Sequence, residues 1–304
     1  DDSVVVAILD GITGQVKHKT RWPKMISDTQ KSSTRIHMSI AYLDGKTPAV
    51  ITQTGLYENE VISAFDNHLN KLWEFTSSGA TNGSGSHKIE VADVDGDGRQ
   101  EVFDGTTCLN TDGSMRWSIY RQHPDIVSIH DHLSARPGLE VFYIVESSMH
   151  AGVYMVDAST GEIIWKENRE NDPRWIHGHR GWSADFWSGS PGIECVSNRR
   201  GHSDYNYVLF SADGKVLMDP LPAIYVPIEW DGDLPKELLG TNGRTIGNFD
   251  GKNVVLLDNE LPNPFPKARL VMVADLYGDF RDELVLNTVT ENGKQKIVVV
   301  SATK

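Results

Sequence analysis

Short apolar runs recur along the chain, separated by loops rich in Gly, Pro, Asp and Asn. Six of these loops share one degenerate pattern: AYLDGKTPAV from Ala41, ADVDGDGRQEV from Ala92, HDHLSARPGLEV from His130, ADFWSGSPGIEC from Ala184, EWDGDLPKEL from Glu229 and ADLYGDFRDEL from Ala274. Each is an apolar run, a loop of about eight residues and a second apolar run, and the copies recur every 38 to 54 residues. That period suits a four-stranded propeller blade. A second element alternates with the first, as ILDGITGQVKHKTRW, AFDNHLNKLWEF, CLNTDGSMRWSI, MVDASTGEIIWKE and LFSADGKVLMD. These read as hairpins whose second strand usually ends at Trp. No capped helical run stands out. One hairpin plus one loop-linked strand pair has the content of a blade. The chain is therefore predicted to be all-β, a single β-propeller domain over 1–304 with about six blades visible; a solenoid or sandwich is the alternative. The first hairpin has no partner before it, so further amino-terminal blades are expected outside this chain.

The loop DVDGDGRQE invites comparison with an EF-hand, which needs flanking helices and a Glu at its twelfth position. Here the flanks alternate like strands and the Glu comes ninth, as Glu101. Asp93, Asp95 and Asp97 crowd three carboxylates onto one turn, an arrangement that a hard cation relieves. Ca²⁺ is the expected occupant, held by these residues with Glu101 and, in the last copy, by Asp275, Asp279 and Glu283. Repeated Asp and Gly also serve simply to turn a chain, so most of the loop carboxylates read as scaffold. Function is then sought in residues that break the repeat.

Composition narrows the partners. The 304 residues carry 29 basic and 42 acidic side chains, net −13, which disfavours nucleic acid. No apolar run approaches the roughly 18 residues of a membrane span, and no signal peptide is recognisable at the amino terminus. The expectation is a monomer without a membrane partner. Cys108 and Cys195 lie in apolar strand-like runs and are expected to be two buried free thiols.

Histidines break the repeat where strands begin: His87 after a Gly- and Ser-rich loop, His123 with Asp125, and the segment RWIHGHRGWSADFW with His177, His179, Arg180, Trp182 and Trp187. In a propeller, the strand entrances on one face surround a common cavity, which makes these side chains candidates for one site. His177 and His179 would share a strand face and reach one ion, but no Cys or further His at ligand spacing supports a zinc site. Arg169, Arg174, Arg180, Arg199 and Arg200 concentrate positive charge in the same region of an acidic chain. Trp175, Trp182, Trp187, Tyr205, Tyr207 and Trp230 are candidates for stacking on sugar rings, although Trp closing a hairpin also serves packing.

The series AYLDGKTPAVITQTGLY, GSGSHKIEVADVDGDGRQEVFDG, RPGLEVF, DASTGEIIW, HRGWSAD, WDGDLPKEL and ADLYGDFRDELV resembles, in this order, the rhamnogalacturonan lyases of polysaccharide lyase family eleven. The resemblance implies an eight-bladed propeller with several Ca²⁺ ions, of which this chain supplies the carboxy-terminal two-thirds. It also implies a secreted or periplasmic protein. The family's Gly-Asn-His resembles Gly85-Ser86-His87, its Gly-His-Gly-Asp resembles Gln122-His123-Pro124-Asp125, and its Gly-Arg-Gly resembles His179-Arg180-Gly181. Its Val-His-Glu is Val145-Glu146 here, and a family histidine is Ser128. The Ca²⁺ scaffold is kept and the cleft is altered.

What the resemblance implies is β-elimination in a polysaccharide containing uronic acid, an anionic substrate. A cation neutralises the uronic carboxylate while a base takes the adjacent proton. The expected assignment puts Arg180, helped by Arg199 or Arg200, on the carboxylate, with His87 or His123 as the base and Tyr205 as the acid. Asp125, Glu146, His177, His179, Trp182 and Trp230 would line the substrate cleft. A different uronide such as ulvan, or a non-catalytic Ca²⁺ propeller that binds sugar or protein, is the alternative. VDASTGEIIW also resembles the tryptophan-docking repeat of quinoprotein dehydrogenases, but it is well formed once and no vicinal cysteine pair accompanies it.

Overall fold

The structure, a computed structural model, describes residues 4–23, 35–56, 60–77, 85–147, 149–200, 206–221, 225–240, 245–257, 269–289 and 292–302. Among these the regular elements are all strands, with no helix. The flanks of DVDGDGRQE are the strands Glu90–Ala92 and Glu101–Asp104, which removes the EF-hand reading. The strands form seven sheets, each built of consecutive strands in sequence order: 5–21 with two strands, 36–76, 90–118, 124–168, 181–221 and 225–256 with four, and 269–300 with three. Meanders of this kind are what the alternating loops and hairpins predict.

The chain divides into two compact units, Asp1–Trp182 with Ser197–Asp204, and Ser183–Val196 with Tyr205–Lys304. In the first unit, the middle strands Ala49–Thr54 and Glu140–Val145 are buried along their whole length, whereas outer strands such as Lys71–Thr76 alternate with solvent. A strand covered on both faces belongs to a sheet sandwiched between others. Accordingly, Ile51, Ile62 and Ala64 of one sheet share a core with Val102 and Leu109 of the next. Phe103 and Trp117 share another with Val141, Tyr143 and Tyr154 of the sheet after that. In the second unit, Ile228, Leu239 and Ile246 pack with Leu284 and Leu286. Cys108 and Cys195 are buried free thiols, as expected.

Two devices recur. First, the loop between the first and second strands of a sheet closes on a buried glutamate that accepts backbone N–H groups. Glu101 accepts from Val94, Glu140 from His132 and Leu133, Glu194 from Phe186 and Trp187, Glu237 from Trp230, and Glu283 from Leu276. In the first copy Ala49 occupies the glutamate's place, and the side chain of Gln100 accepts from the Tyr42 N–H instead. Second, the hairpin tryptophans clasp the next sheet. Trp73 donates its indole N–H to the Thr111 carbonyl at 2.9 Å, and Trp117 donates to Ala158 at 3.0 Å. Each indole lies over a turn glycine in the left-handed region, Gly113 (φ 83°) and Gly161 (φ 78°). A Cβ on Gly161 would stand 2.8 Å from the Trp117 ring, so glycine is required there twice, for its dihedral and for its lack of a side chain.

Gly14 (φ 69°) has the same dihedral but nothing within 4 Å of a modest side chain, and so separates the two effects. Gly14→Ala is expected to cost roughly 1–2 kcal/mol, the strain of the left-handed conformation alone. Gly161→Ala should cost about 1–3 kcal/mol more, because the indole must also move. Urea denaturation of the two variants checks this, and equal losses would show that the clasp is not tight.

Candidate active site

Three strand entrances in the first unit bring six side chains together. His87 precedes the strand Glu90–Ala92, and His123 and Asp125 open the strand Pro124–His130. Glu146 follows the strand Glu140–Val145, its N–H donating to the His123 carbonyl at 3.0 Å. His177 and His179 lie in the extended segment before Gly181. The His177 N–H donates to the Arg199 carbonyl, and both the His179 and Arg180 N–H groups donate to the Asn198 side-chain oxygen. A single asparagine thus fixes the backbone that presents His179.

The contacts within the cluster are close. The His123 Nδ1–H donates to the Gly85 carbonyl at 2.9 Å, and its Nε2 faces Asp125 Oδ1 at 3.1 Å, His87 Nε2 at 3.4 Å and Glu146 Oε2 at 3.6 Å. His179 Nδ1 is hydrogen-bonded to Asp125 Oδ2. His177 Nε2 lies 2.7 Å and His179 Nε2 3.7 Å from Glu146 Oε1, so alternate residues of one extended segment do reach a common partner. His123 is almost fully buried, whereas the side chains of His87 and His177 are each 38% exposed and are the rings open to a visitor.

Two residues that the sequence reading passed over complete the site. Arg35 Nη1 donates to His87 Nδ1 at 3.0 Å, and His37 lies close enough for its charge to act on His87 and His123. Burial and His123 hold His87 below the ordinary imidazole value, and burial and His87 do the same to His37. Burial of Asp125 opposes its ionisation, but hydrogen bonds from His123 and His179 outweigh it and keep its carboxyl below the usual range.

Other expected residues are placed differently. Arg199 is buried, its guanidinium over the Trp175 ring and 3.6 Å from Asp172, so it serves packing. Arg180 and Arg200 are exposed, and Trp182 is half-buried. Trp230 packs against the core of the second unit, with its backbone N–H on Glu237. Tyr205 lies outside the described residues. Gln122, at a position where the resembled motif has Gly, holds φ 66°, and its side chain accepts the Ser147 hydroxyl.

The donor sets admit cations in two kinds of place. Oxygens of Asp93, Asp95 and Glu101 lie within 4.8 Å of one another, an all-oxygen set that fits Ca²⁺. Asp93 also accepts the N–H groups of Gly96 and Gly98, Asp95 pairs with Arg116, and Asp97 pairs with Arg99. In the last loop Asp275 accepts backbone N–H groups, Asp279 pairs with Arg281, and Glu283 is buried. In the histidine cluster, Asp125 Oδ1 and Glu146 Oε2 are buried without an aligned hydrogen-bond donor. Orphaned carboxylate oxygens beside an imidazole nitrogen fit a divalent cation.

Residues 20–304 match the family described as rhamnogalacturonan lyase family 11, C-terminal domain. The chain belongs to this family. Among its curated relatives, the rhamnogalacturonan endolyase YesW of Bacillus subtilis (strain 168) is 34% identical over 268 residues, which cover 84% of this chain and 41% of the relative. The rhamnogalacturonan exolyase YesX of the same organism is 34% identical over 271 residues, covering 82% and 43%. The chain thus spans less than half the length of these family members. The solved structure of rhamnogalacturonan lyase YesW matches with a TM-score of 0.81 at 30% identity, over 98% of this chain and 52% of that one. The Dos1 propeller matches with a TM-score of 0.56 at 13% identity, over 98% of this chain and 74% of that one, a likeness of fold alone. It agrees with the propeller reading of the repeats.

The geometry makes a titration prediction for the metal-free protein. The Asp125 carboxylate favours protonated His87, opposing burial and His123. Asp125→Asn should therefore move the His87 midpoint, followed by NMR, still lower. A midpoint that stays where it was would remove Asp125 from contact with that ring.

Proposed function

We propose that this chain forms the catalytic part of a polysaccharide lyase that cleaves rhamnogalacturonan by β-elimination. The observation that carries the reading is the pairing of an exposed, neutral imidazole with a guanidinium, His87 with Arg35, at the rim of an acceptor-rich cluster. Membership of the family and the names of YesW and YesX support the substrate class.

The chemistry needs two opposite aids. The proton next to a uronic carboxylate is weakly acidic, and its removal spreads negative charge onto that carboxylate. Arg35 supplies positive charge there, ahead of Arg180, because Arg35 is the guanidinium in contact with the His87 ring. His87 takes the proton at Nδ1, the nitrogen that Arg35 caps, as the guanidinium turns from the ring to the substrate carboxylate. The lowered pKa of His87 keeps it neutral at pH 7 and therefore able to accept. His123 is too buried for the same task and instead orients the cluster through its bond to Gly85. His177, open to solvent and anchored on Glu146, is placed to hydrogen-bond the sugar.

Ca²⁺ is the proposed cofactor. In the loop, Asp93, Asp95 and Glu101 would hold an ion that stiffens the strand connection. In the cleft, Asp125 Oδ1 and Glu146 Oε2, 3.1 and 3.6 Å from His123 Nε2, would hold a divalent cation with that ring, which when bound helps neutralise the substrate carboxylate.

The test mixes the full-length protein and Ca²⁺ with rhamnogalacturonan I, homogalacturonan and ulvan, and follows the ultraviolet absorbance of the unsaturated product. Absorbance should rise with rhamnogalacturonan I and stop on chelation. Arg35→Ala and His87→Ala should each lower kcat/KM by about 10²–10⁴-fold, the usual contribution of a charge-stabilising or proton-transferring group. Binding without product from any of the three polymers would favour a non-catalytic propeller.

A further inference from the structure

Behind the histidine cluster lies a second group of acidic side chains that the proposed reaction does not use. Glu60 and Asp104 are 0% and 1% exposed and face each other, close enough for each to act on the other's ionisation. Ionised carboxylates carry only acceptor oxygens, and all four oxygens of this pair are buried with no aligned donor from another side chain or backbone group among the described residues, each acid having the other as its partner. The Gln53 side chain, 0% exposed, lies beside them, its Nε2 meeting Gly85 together with the Glu60 carboxylate and its carbonyl oxygen buried near His37 without an aligned donor.

The backbone holds this arrangement in place. Glu60 is fixed by its carbonyl, which accepts the Ser77 N–H at 3.0 Å. Gln53 lies on the strand Ala49–Thr54, and Asp104 ends the strand Glu101–Asp104. Gly85 (φ 55°) packs against Glu60 and Gln53. A Cβ on Gly85 would stand 2.7 Å from both Glu60 Cδ and Gln53 Nε2, and a Cβ on Gly105, the residue after Asp104, would stand 2.7 Å from the Gly85 carbonyl oxygen. The two glycines let the strands close until the carboxylates and the amide converge.

Two ionised carboxylates in a dry interior repel each other strongly and lose their hydration, so something positive must sit between them. A shared proton would satisfy one oxygen on each acid and leave the outer oxygens unpaired. A cation satisfies all of them. We propose that Glu60, Asp104 and Gln53 form a site for a hard, oxygen-preferring divalent cation, separate from the loop and cleft positions. Burial raises the pKa of both acids, Asp104 to about 6, which measures the cost of leaving the pair without a counter-charge. The site also has a structural consequence. Gly85, wedged against it, accepts the His123 Nδ1–H, so the ion would fix the carbonyl that sets the orientation of His123.

The assignment stands or falls on metal binding and does not depend on lyase activity. Full-length protein equilibrated with Ca²⁺ and analysed for metal content should hold one ion more per chain than Glu60→Gln/Asp104→Asn, whose side chains keep shape but lose charge. An equal count in a folded double variant overturns the site. Should that variant not fold, crystals of the unmutated protein soaked with Tb³⁺ decide the matter. An anomalous peak at about 2.3–2.6 Å from Glu60 and Asp104 oxygens is expected. A direct carboxyl–carboxylate contact with no peak would show that the pair shares a proton instead.

Discussion

The structure depends on carboxylates that are buried so that they can accept backbone hydrogen bonds. Between the first and second strands of successive sheets, a glutamate turns inward and takes the N–H groups of the preceding loop. A loop of Gly, Pro and Asp has little apolar surface with which to hold itself in place. The inward acceptor replaces that surface, at the cost of desolvating a charged group. Burial accordingly pushes the Glu101, Glu140 and Glu237 carboxyls upward, and Glu194 to about 7. With the far end of each first strand pinned, its near end becomes a stable platform. His123 and Asp125 stand on one such end.

The site inherits an electrostatic problem from this design. It gathers imidazole lone pairs and carboxylate oxygens into a small volume of a chain whose net charge is −13. Such a cluster is stable when hydrogen bonds are shared sparingly and positive charge is brought in. The first requirement is met by Gly85 and Asn198, which orient His123 and His179 through single contacts. Arg35 supplies part of the second, and bound cations would supply the rest. The same need recurs at Glu60 and Asp104, where no guanidinium or ammonium is in contact among the described residues.

Much of the fold was legible because its causes are local. Alternating hydrophobicity, turn residues and the glutamate closing each loop lie within about ten residues of one another, and they predicted strands, hairpins and sheets of consecutive strands. The gathering of His87, His123, Asp125, Glu146, His177 and His179 was legible too, since each breaks the repeat at a strand entrance. Arg35 was not. It meets His87 across 52 residues and lies in no motif, so only the packing of neighbouring sheets brings it there. Arg199 shows the converse error of counting arginines in a segment. Trp175 and Asp172 claim its guanidinium for the interior. Glu60, Asp104 and Gln53 sit within strands or beside them, with no spacing to betray them, and their meeting rests on two glycines in different segments.

The central claim is that His87 and Arg35 face the reacting uronide. The most direct measurement is a crystal structure of the full-length protein, with His87 replaced by Ala, bound to a rhamnogalacturonan oligosaccharide. The account predicts a galacturonate carboxylate within about 3–4 Å of the Arg35 guanidinium, over the space vacated by the His87 ring. An oligosaccharide bound with its carboxylates elsewhere, and Arg35 and the histidine cluster left uncovered, would contradict it.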